Sequence, residues 1–147
     1  MDNSTEKIIK RVIVIDDDPV SNFVTEKILH KFPEIETIQS YTNPHKAIED
    51  LTTYIESNAI SMLPDMIFVD LNMPVMDGWS FIEHFNKLDS EHVSKIKLTI
   101  LTSSVDERDV QKAKNIANVD GYIAKPLSVA KVVELKSKSM LNRFFPM

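Results

Sequence analysis

Short runs of apolar residues alternate along the chain with stretches whose apolar residues recur at helical spacing. Residues 12–15 read VIVI, a continuous β-branched run that is typical of a short strand buried on both faces. Similar runs predict strands at 66–69, 96–101 and 121–124, with a weaker candidate at 36–41.

Helix-start signals follow several of these runs. Asp18-Pro19 and Asn43-Pro44 each place a capping side chain before a proline that fits the first helical turn. The apolar residues expected to share one face of each helix are Val20, Phe23, Val24 and Ile28 in the first; Ala47, Ile48, Leu51 and Ile55 in the second; Phe81, Ile82 and Phe85 after Gly78; Val110, Ala113 and Ala117 within 106–117; and Val129, Val132, Val133 and Met140 in a last helix from about Ser128.

Strands that alternate with helices predict an α/β fold with a parallel sheet and helices on both of its faces. The chain has 147 residues and shows no internal repeat or linker, so we expect one domain over 1–147 with a core at about 10–140 and short tails. The stretch 54–64 is long for one connection and predicts either an extension of the second helix or a surface loop.

Composition narrows the classes of function. The chain has no cysteine, which excludes disulfides, thiolate metal sites and cysteine nucleophiles. Its net charge of -5 gives no bulk attraction for nucleic acid or anionic lipid. No apolar stretch approaches the length of a membrane span, and the polar N-terminus lacks the apolar core of a secretion signal. We therefore expect a cytoplasmic protein with no direct nucleic-acid binding and no membrane insertion.

Polar side chains fall at the carboxyl ends of four of the five predicted strands. In open α/β sheets, ligands bind outside this edge. Taken alone, Asp70 before a turn containing proline and glycine is best explained as a turn cap. The whole group predicts one anionic or metal site instead: Asp16, Asp17, Asp70, Thr102, Ser103 and Lys125.

The charges at this edge indicate which ligand it suits. Two carboxylates about 4 Å apart repel by roughly 4 kcal/mol at an effective dielectric of 20, so a cluster of three either has raised pKa values or needs a cation. Hard oxygen ligands suit Mg²⁺. The cation and Lys125 together match an incoming phosphoryl group, whose charge is near −2. Asp70 is then a nucleophile that forms an acyl phosphate, Thr102 donates a hydrogen bond to it, and the small Ser103 leaves room for it.

Four segments in this order resemble the receiver domains of two-component response regulators. They are VIVIDDDP at 12–19, FVDLNMPVMDG at 68–78, ILTSS at 100–104 and YIAKP at 122–126. The resemblance covers about residues 10–140. It implies a (βα)₅ flavodoxin-like, doubly wound sheet of five parallel strands in the order 2-1-3-4-5, as in single-domain receivers of the chemotaxis-regulator type.

The resemblance also implies roles for individual residues. Asp70 matches the phospho-accepting aspartate, and Lys125 matches the lysine that pairs with it or with its phosphate. Asp17 matches a direct ligand of Mg²⁺ or Mn²⁺, whereas Asp16 acts mainly through water. The backbone carbonyl of Asn72 is the implied third protein ligand.

Signalling roles follow from the same resemblance. Thr102 is the implied switch hydroxyl, and Tyr122 matches the family's switch aromatic, although an ordinary packing role explains it equally well from the residues alone. Their movement reshapes the fourth helix, the fifth strand and the fifth helix. The implied phosphoryl donor is a phosphohistidine on a sensor histidine kinase or a phosphotransfer protein. The output is then an unknown target protein or a homodimer formed on phosphorylation, since no output domain is expected.

Two departures from minimal receivers concern length and phosphate lifetime. The stretches 54–64 and 86–95 look longer than in minimal receivers. Ser104 stands where many members carry a larger or acidic side chain, and in the family this position and that of Asn72 tune dephosphorylation. We expect no enzymatic activity beyond the domain's own phosphoryl transfer and slow self-dephosphorylation.

Two rival functions compete with a receiver. A haloacid-dehalogenase-type phosphatase uses similar groups, but Asp70-Leu71-Asn72 lacks the second aspartate of its DxD pair, and Asp16-Asp17 comes too early for its acidic metal pair. An interaction module that is never phosphorylated is disfavoured by the complete set of Asp17, Asp70, Thr102 and Lys125.

Overall fold

Five strands build the centre of the molecule. The protein is represented by a computed structural model, which describes residues 9–137. The strands are β1 (Ile9–Ile15), β2 (Ile35–Tyr41), β3 (Met66–Val69), β4 (Lys97–Thr102) and β5 (Val119–Ala124). They form one parallel sheet in the order β2-β1-β3-β4-β5, which confirms the predicted fold class and strand order.

Helices connect the strands and cover both faces of the sheet. They are α1 (Pro19–Leu29), α2 (Pro44–Glu56), α3 (Gly78–Asn86), α4 (Ser90–Val93), α5 (Glu107–Lys114) and α6 (Val129–Ser137). The short α4 lies in the long stretch 86–95 and was not predicted, so the predicted fourth and fifth helices are α5 and α6. The stretch 54–64 completes α2 and then forms a 3-10 turn at Ile60–Met62.

Capping side chains start the helices where the sequence pattern indicated. Asp18 accepts a hydrogen bond from the backbone N–H of Val20 over 3.0 Å, and Asn43 accepts one from His45 over 2.9 Å. Each cap satisfies an N–H group that has no partner inside its helix. A proline follows both caps, so both predicted helix starts are confirmed.

The central strands are buried on both faces, and their side chains alternate between two apolar cores. Ile13 and Ile15 point into the core that α2, α3 and α5 cover. Val12 and Val14 point into the other core, beneath α1 and α6. Successive side chains of a strand face opposite sides of the sheet, so a strand covered on both sides must be apolar throughout. This explains the VIVI run.

The predicted apolar face of α1 is wrong. Val20, Phe23 and Val24 are 67%, 60% and 44% exposed. The residues that face the sheet are Asn22, Thr25 and Leu29, and Ile28 is partly buried beside them. Helical spacing shows which residues share a face, but it does not show which face meets the sheet. In α1, the face that meets the sheet carries Asn22, whose amide donates to the carbonyls of Asp16 and Tyr41.

The predicted apolar faces of α5 and α6 are only partly correct. Val110 and Ala113 of α5 are buried, but α5 ends at Lys114 and Ala117 is exposed beyond it. In α6, Val132 is buried with Leu135, whereas Val129 and Val133 are exposed. The predicted Met140 and both predicted tails lie outside the described residues. Within 9–137, no helix is long and apolar enough to cross a bilayer.

Candidate functional site

Strand pairing brings the predicted site residues to one edge of the sheet. Ile15 of β1 pairs with Val69 of β3, so Asp16 and Asp70 leave the sheet at the same level. The N–H of Asp70 donates to the carbonyl of Ile15 over 3.0 Å. On the other side, the N–H of Lys125 donates to the carbonyl of Thr102 over 2.9 Å. Asp16, Asp70, Thr102 and Lys125 come together because the carboxyl ends of parallel strands share an edge.

Lys125 bridges two carboxylates at this edge. Its ammonium lies 2.5 Å from Asp16 Oδ2 and 3.4 Å from Asp70 Oδ2. Both carboxylates are largely buried, with 5% and 8% of their side chains exposed. Burial opposes the charge on Lys125, but the hydrogen bond and charge of Asp16, together with Asp70, outweigh it and raise the pKa of Lys125. The lysine is therefore held in its charged form.

Asp17 completes a cluster of three carboxylates. Asp16, Asp17 and Asp70 each offer an oxygen, and these oxygens all lie within 4.8 Å of one another. Burial, followed by the charge of Asp16 and then that of Asp70, raises the pKa of the Asp17 carboxyl. One lysine charge leaves this cluster negative. It therefore attracts a cation or protons.

The cluster fits a hard divalent cation. Asp70 Oδ1 is buried and accepts no hydrogen bond from any residue in 9–137. A buried oxygen without a partner is costly unless an ion, a water or a reacting group satisfies it. Together with the oxygen donors of Asp16 and Asp17, it provides the chemistry that Mg²⁺ selects.

The loop after β3 carries one further predicted residue, Asn72, and it contacts Gly78 at the start of α3 in a way that the sequence pattern does not show. Asn72 is exposed there, and no residue in the described part of the chain donates to its carbonyl. Gly78 packs on the loop so closely that a Cβ would lie 2.4 Å from the carbonyl oxygen of Asp70. In the sequence alone, Gly78 is recognisable only as a turn residue before a helix.

Ser104 links Thr102 to Tyr122 and to α5. Its N–H donates to Thr102 Oγ1 over 3.3 Å, and its carbonyl accepts from the Tyr122 hydroxyl over 3.1 Å. Its own hydroxyl donates to Asp109 Oδ2 over 2.6 Å. Tyr122 is turned inward, is 1% exposed, and has a pKa raised by burial. Ser103, by contrast, is exposed.

Asn22 is a buried contributor that the sequence analysis missed. Its side-chain amide donates to the carbonyl of Asp16 over 2.9 Å and to that of Tyr41 over 3.3 Å. A signal was present in the sequence, because residues 22, 25 and 29 share helical spacing and end in a leucine. The more numerous apolar residues on the opposite face obscured it.

Comparisons with known proteins agree with this geometry. The family model described as "Response regulator receiver domain" matches residues 12–136. The crystal structure of a two component response regulator from Cytophaga hutchinsonii superposes with a TM-score of 0.80 at 34% identity, over 92% of this chain and 98% of that chain. A response regulator receiver protein from Dyadobacter fermentans gives 0.75 at 28% identity, over 94% and 99%.

Curated relatives match over only part of their length. A protein-glutamate methylesterase/protein-glutamine glutaminase of Geobacter sulfurreducens is 32% identical over 116 residues. The match takes up 79% of this chain and 28% of that protein. A relative with the same description from Leptospira interrogans is 35% identical over 103 residues, which is 26% of its length. This chain therefore spans about a quarter of these relatives.

Proposed function

This chain belongs to the response regulator receiver domain family of two-component systems, and we propose that Asp70 is the residue through which it accepts a phosphoryl group. Phosphoryl acceptance is the general function of such domains. One observation carries the assignment to Asp70. Its buried carboxylate has one oxygen facing Lys125 and the other without a partner in 9–137, at the end of the central strand β3.

The proposed step is a substitution at phosphorus. A carboxylate oxygen of Asp70 attacks the phosphorus of a phosphohistidine, and a new P–O bond forms as the P–N bond breaks. The electron pair of the broken bond stays on the imidazole nitrogen of the donor. Asp70 becomes an acyl phosphate and needs no general base, because its carboxylate is the nucleophile.

Asp16, Asp17, Asp70 and the backbone carbonyl of Asn72 are the residues that we propose hold Mg²⁺ or Mn²⁺. A bound divalent cation supplies positive charge beside the transferring phosphoryl oxygens. Receiver domains generally use Mg²⁺ at their phosphorylation site. One carboxylate oxygen of Asp16 already pairs with Lys125, and the other accepts a hydrogen bond from the N–H of Asp18. Because both oxygens have partners, a contact between Asp16 and the cation through water is supported.

Lys125, Thr102 and Ser103 are proposed to surround the phosphoryl group once it is on Asp70. Lys125 is charged and already within 3.4 Å of Asp70, so it needs little movement to pair with a phosphoryl oxygen. Thr102 is fully buried at the end of β4, and its hydroxyl can donate to phosphate while its oxygen keeps the Ser104 hydrogen bond. The small side chain of Ser103 leaves space beside it.

The exposed apolar face of α1 suits the phosphoryl donor, which we propose is a histidine kinase or phosphotransfer protein. This α1 face, formed by Val20, Phe23 and Val24, begins three residues after Asp17. A phosphohistidine must come within bonding distance of Asp70, so its protein must cover this edge of the sheet. Exposed apolar residues beside the edge supply the contact area for such a partner.

The output surface is proposed to lie on α5, β5 and α6. Ser104 connects the Thr102 hydroxyl with Tyr122 and with Asp109 of α5, so a movement of Thr102 toward phosphate pulls on this face. The recipient is a target protein or a second copy of the chain, in the cytoplasm. That residues 1–147 form one receiver domain stays a prediction.

Intact-mass measurement tests the proposal directly. After incubation with acetyl phosphate and Mg²⁺, we expect one added phosphoryl group, which disappears when Mg²⁺ is withheld. Asp70→Asn removes the nucleophile and should gain no mass. Asp77→Asn, in the same loop, keeps its helix cap and should behave as wild type.

Two results would contradict the assignment. Phosphorylation of Asp70→Asn would place the acceptor elsewhere, and unchanged mass of the wild type would favour a module that is never phosphorylated. The family match already favours a receiver over the haloacid-dehalogenase-type phosphatase.

A further inference from the structure

Asn22 is a buried amide that ties α1 to the ends of two strands. The side chain is 3% exposed, and Nδ2 donates to the carbonyls of Asp16 and Tyr41 over 2.9 and 3.3 Å. Both partners are acceptors, so the nitrogen must face them. Oδ1 is left buried with no hydrogen-bond partner among residues 9–137.

Packing alone does not account for an asparagine at this position. A buried acceptor without a donor lowers stability, whereas an apolar side chain of similar size carries no such penalty. Thr25, one helical turn before Leu29, is a second buried polar residue of α1 and is 4% exposed. However, no hydrogen bond from Thr25 to the acidic cluster is present in the described part of the chain. Asn22, unlike Thr25, donates a hydrogen bond to the backbone carbonyl of Asp16, which is a member of the cluster.

The hydrogen bonds of Asn22 control the peptide that leads to Asp17. The carbonyl of Asp16 and the N–H of Asp17 lie in one rigid plane, so holding the carbonyl oxygen sets the orientation of the whole peptide. The N–H of Asp16 donates to the carbonyl of Tyr41 over 3.1 Å. Asn22 and Tyr41 therefore hold Asp16 from both of its backbone groups.

Asp17 depends on this peptide for its position. Lys125 pairs with Asp16 and Asp70, and no lysine or arginine in 9–137 forms a salt bridge with Asp17. Its charge is opposed by both neighbouring carboxylates. Repulsion alone would move Asp17 away from the cluster, so the backbone must hold its oxygen within 4.8 Å of the others.

We propose that Asn22 is a positioning residue for the divalent-cation site, because its amide fixes the Asp16–Asp17 peptide and thereby the carboxylate of Asp17. This inference rests on the cation site proposed above. Residues that orient metal ligands typically change affinity about 10- to 100-fold when replaced. We expect about a 10-fold loss of Mg²⁺ affinity without Asn22.

The test is calorimetric titration of the full chain with Mg²⁺, paired with thermal unfolding in the absence of the ion. Asn22→Leu removes both N–H donors and the unpartnered oxygen while keeping the number of side-chain heavy atoms. Thr25→Val is the matched control, because it replaces a buried polar residue on the same face of α1. Asp17→Asn is the control for loss of a ligand.

The expected result separates positioning from packing. Asn22→Leu should raise the dissociation constant for Mg²⁺ about 10-fold without a matching loss of melting temperature, and Thr25→Val should stay within about twofold of wild type. If Asn22→Leu does not fold, Asn22→Ala is measured in the same way. Equal affinity of the Asn22 variant and the wild type would overturn this inference alone. Absence of Mg²⁺ binding by the wild type would overturn the cation site and the inference together.

Discussion

Gly78 packs against the backbone of Asp70, the proposed acceptor residue, since a Cβ at Gly78 would lie 2.4 Å from the carbonyl oxygen of Asp70. The carbonyl oxygen belongs to the backbone and a Cβ is bonded directly to it, so neither atom can avoid the contact by a side-chain rotation. We expect Gly78→Ala to lower the free energy of unfolding by about 1–3 kcal/mol, as overpacking does. Alanine's better helix propensity offsets at most about 1 kcal/mol of this.

The same substitution should also slow phosphorylation, because Asp70 is displaced. Chemical denaturation and the rate of mass gain with acetyl phosphate measure the two effects. Glu83→Ala, at an exposed position of the same helix, serves as the control. A Gly78→Ala protein with the stability and rate of the control would show that the loop adapts freely.

Asp17→Asn should stabilise the protein at pH 7 when no divalent cation is present. The pKa of Asp17 is raised in the folded state, so its charged form costs stability above that pKa. The cost is lost as the pH falls through the folded pKa toward the unfolded value. Because Asp17 is partly exposed, we expect a gain below about 1 kcal/mol.

With Mg²⁺ present, the wild type should be more stable than Asp17→Asn, because a ligand that binds only the native state stabilises it. Thermal unfolding with and without Mg²⁺ at pH 7 makes the comparison. Asp18→Asn removes the same charge one residue later but keeps an equally good helix cap, so it should respond to Mg²⁺ as wild type does. Equal Mg²⁺ shifts in Asp17→Asn and wild type would remove Asp17 from the proposed ligand set.

Ser104→Ala should loosen the connection between β4 and α5. It removes the hydrogen bond to Asp109 and the one that the Ser104 hydroxyl accepts from the N–H of Asp106 over 3.4 Å. We expect a loss of about 1 kcal/mol and faster amide exchange at Asp106. Ser103→Ala, at the exposed neighbouring position, should change neither quantity. Unchanged exchange in Ser104→Ala would mean that other contacts hold the loop.

Tyr122→Phe should lower stability without changing the rate of phosphorylation. The ring stays buried, but the hydroxyl no longer donates to the carbonyl of Ser104. We expect a loss of about 1 kcal/mol in unfolding free energy and an unchanged rate of mass gain with acetyl phosphate. Slower phosphorylation would place the hydroxyl in the acceptor chemistry, contrary to its observed partner.

Phe23→Ser should weaken phosphotransfer from a protein donor but not from acetyl phosphate. Phe23 is 60% exposed, so its replacement should change stability by no more than about 0.5 kcal/mol. Transfer rates from a phosphorylated histidine kinase or phosphotransfer protein test the loss of contact area. The small donor needs no α1 face and controls for damage to the site. Equal loss with both donors would contradict a docking role.

The sequence alone determined the fold class, the strand order implied by the resemblance, and which residues stand at the strand ends. These features are local patterns in the chain. They are the VIVI run, the Asp-Pro and Asn-Pro helix starts, and the polar residues that end the strands: Asp16, Asp70, Thr102 and Lys125. Parallel strands bring such endings to one edge whatever the details of packing. The site could therefore be assembled from spacing and charge.

Tertiary structure decided which side of α1 meets the sheet, which contacts hold Ser104, and why Gly78 and Asn22 occupy their positions. Helical periodicity identifies a stripe of apolar residues but not whether the sheet or a partner covers it. In α1 the face that meets the sheet carries Asn22, whose amide donates to the carbonyls of Asp16 and Tyr41, while Val20, Phe23 and Val24 stay exposed. Contacts between residues far apart in the chain, such as Tyr122 with Ser104, depend on the folded backbone and leave no local pattern in the sequence.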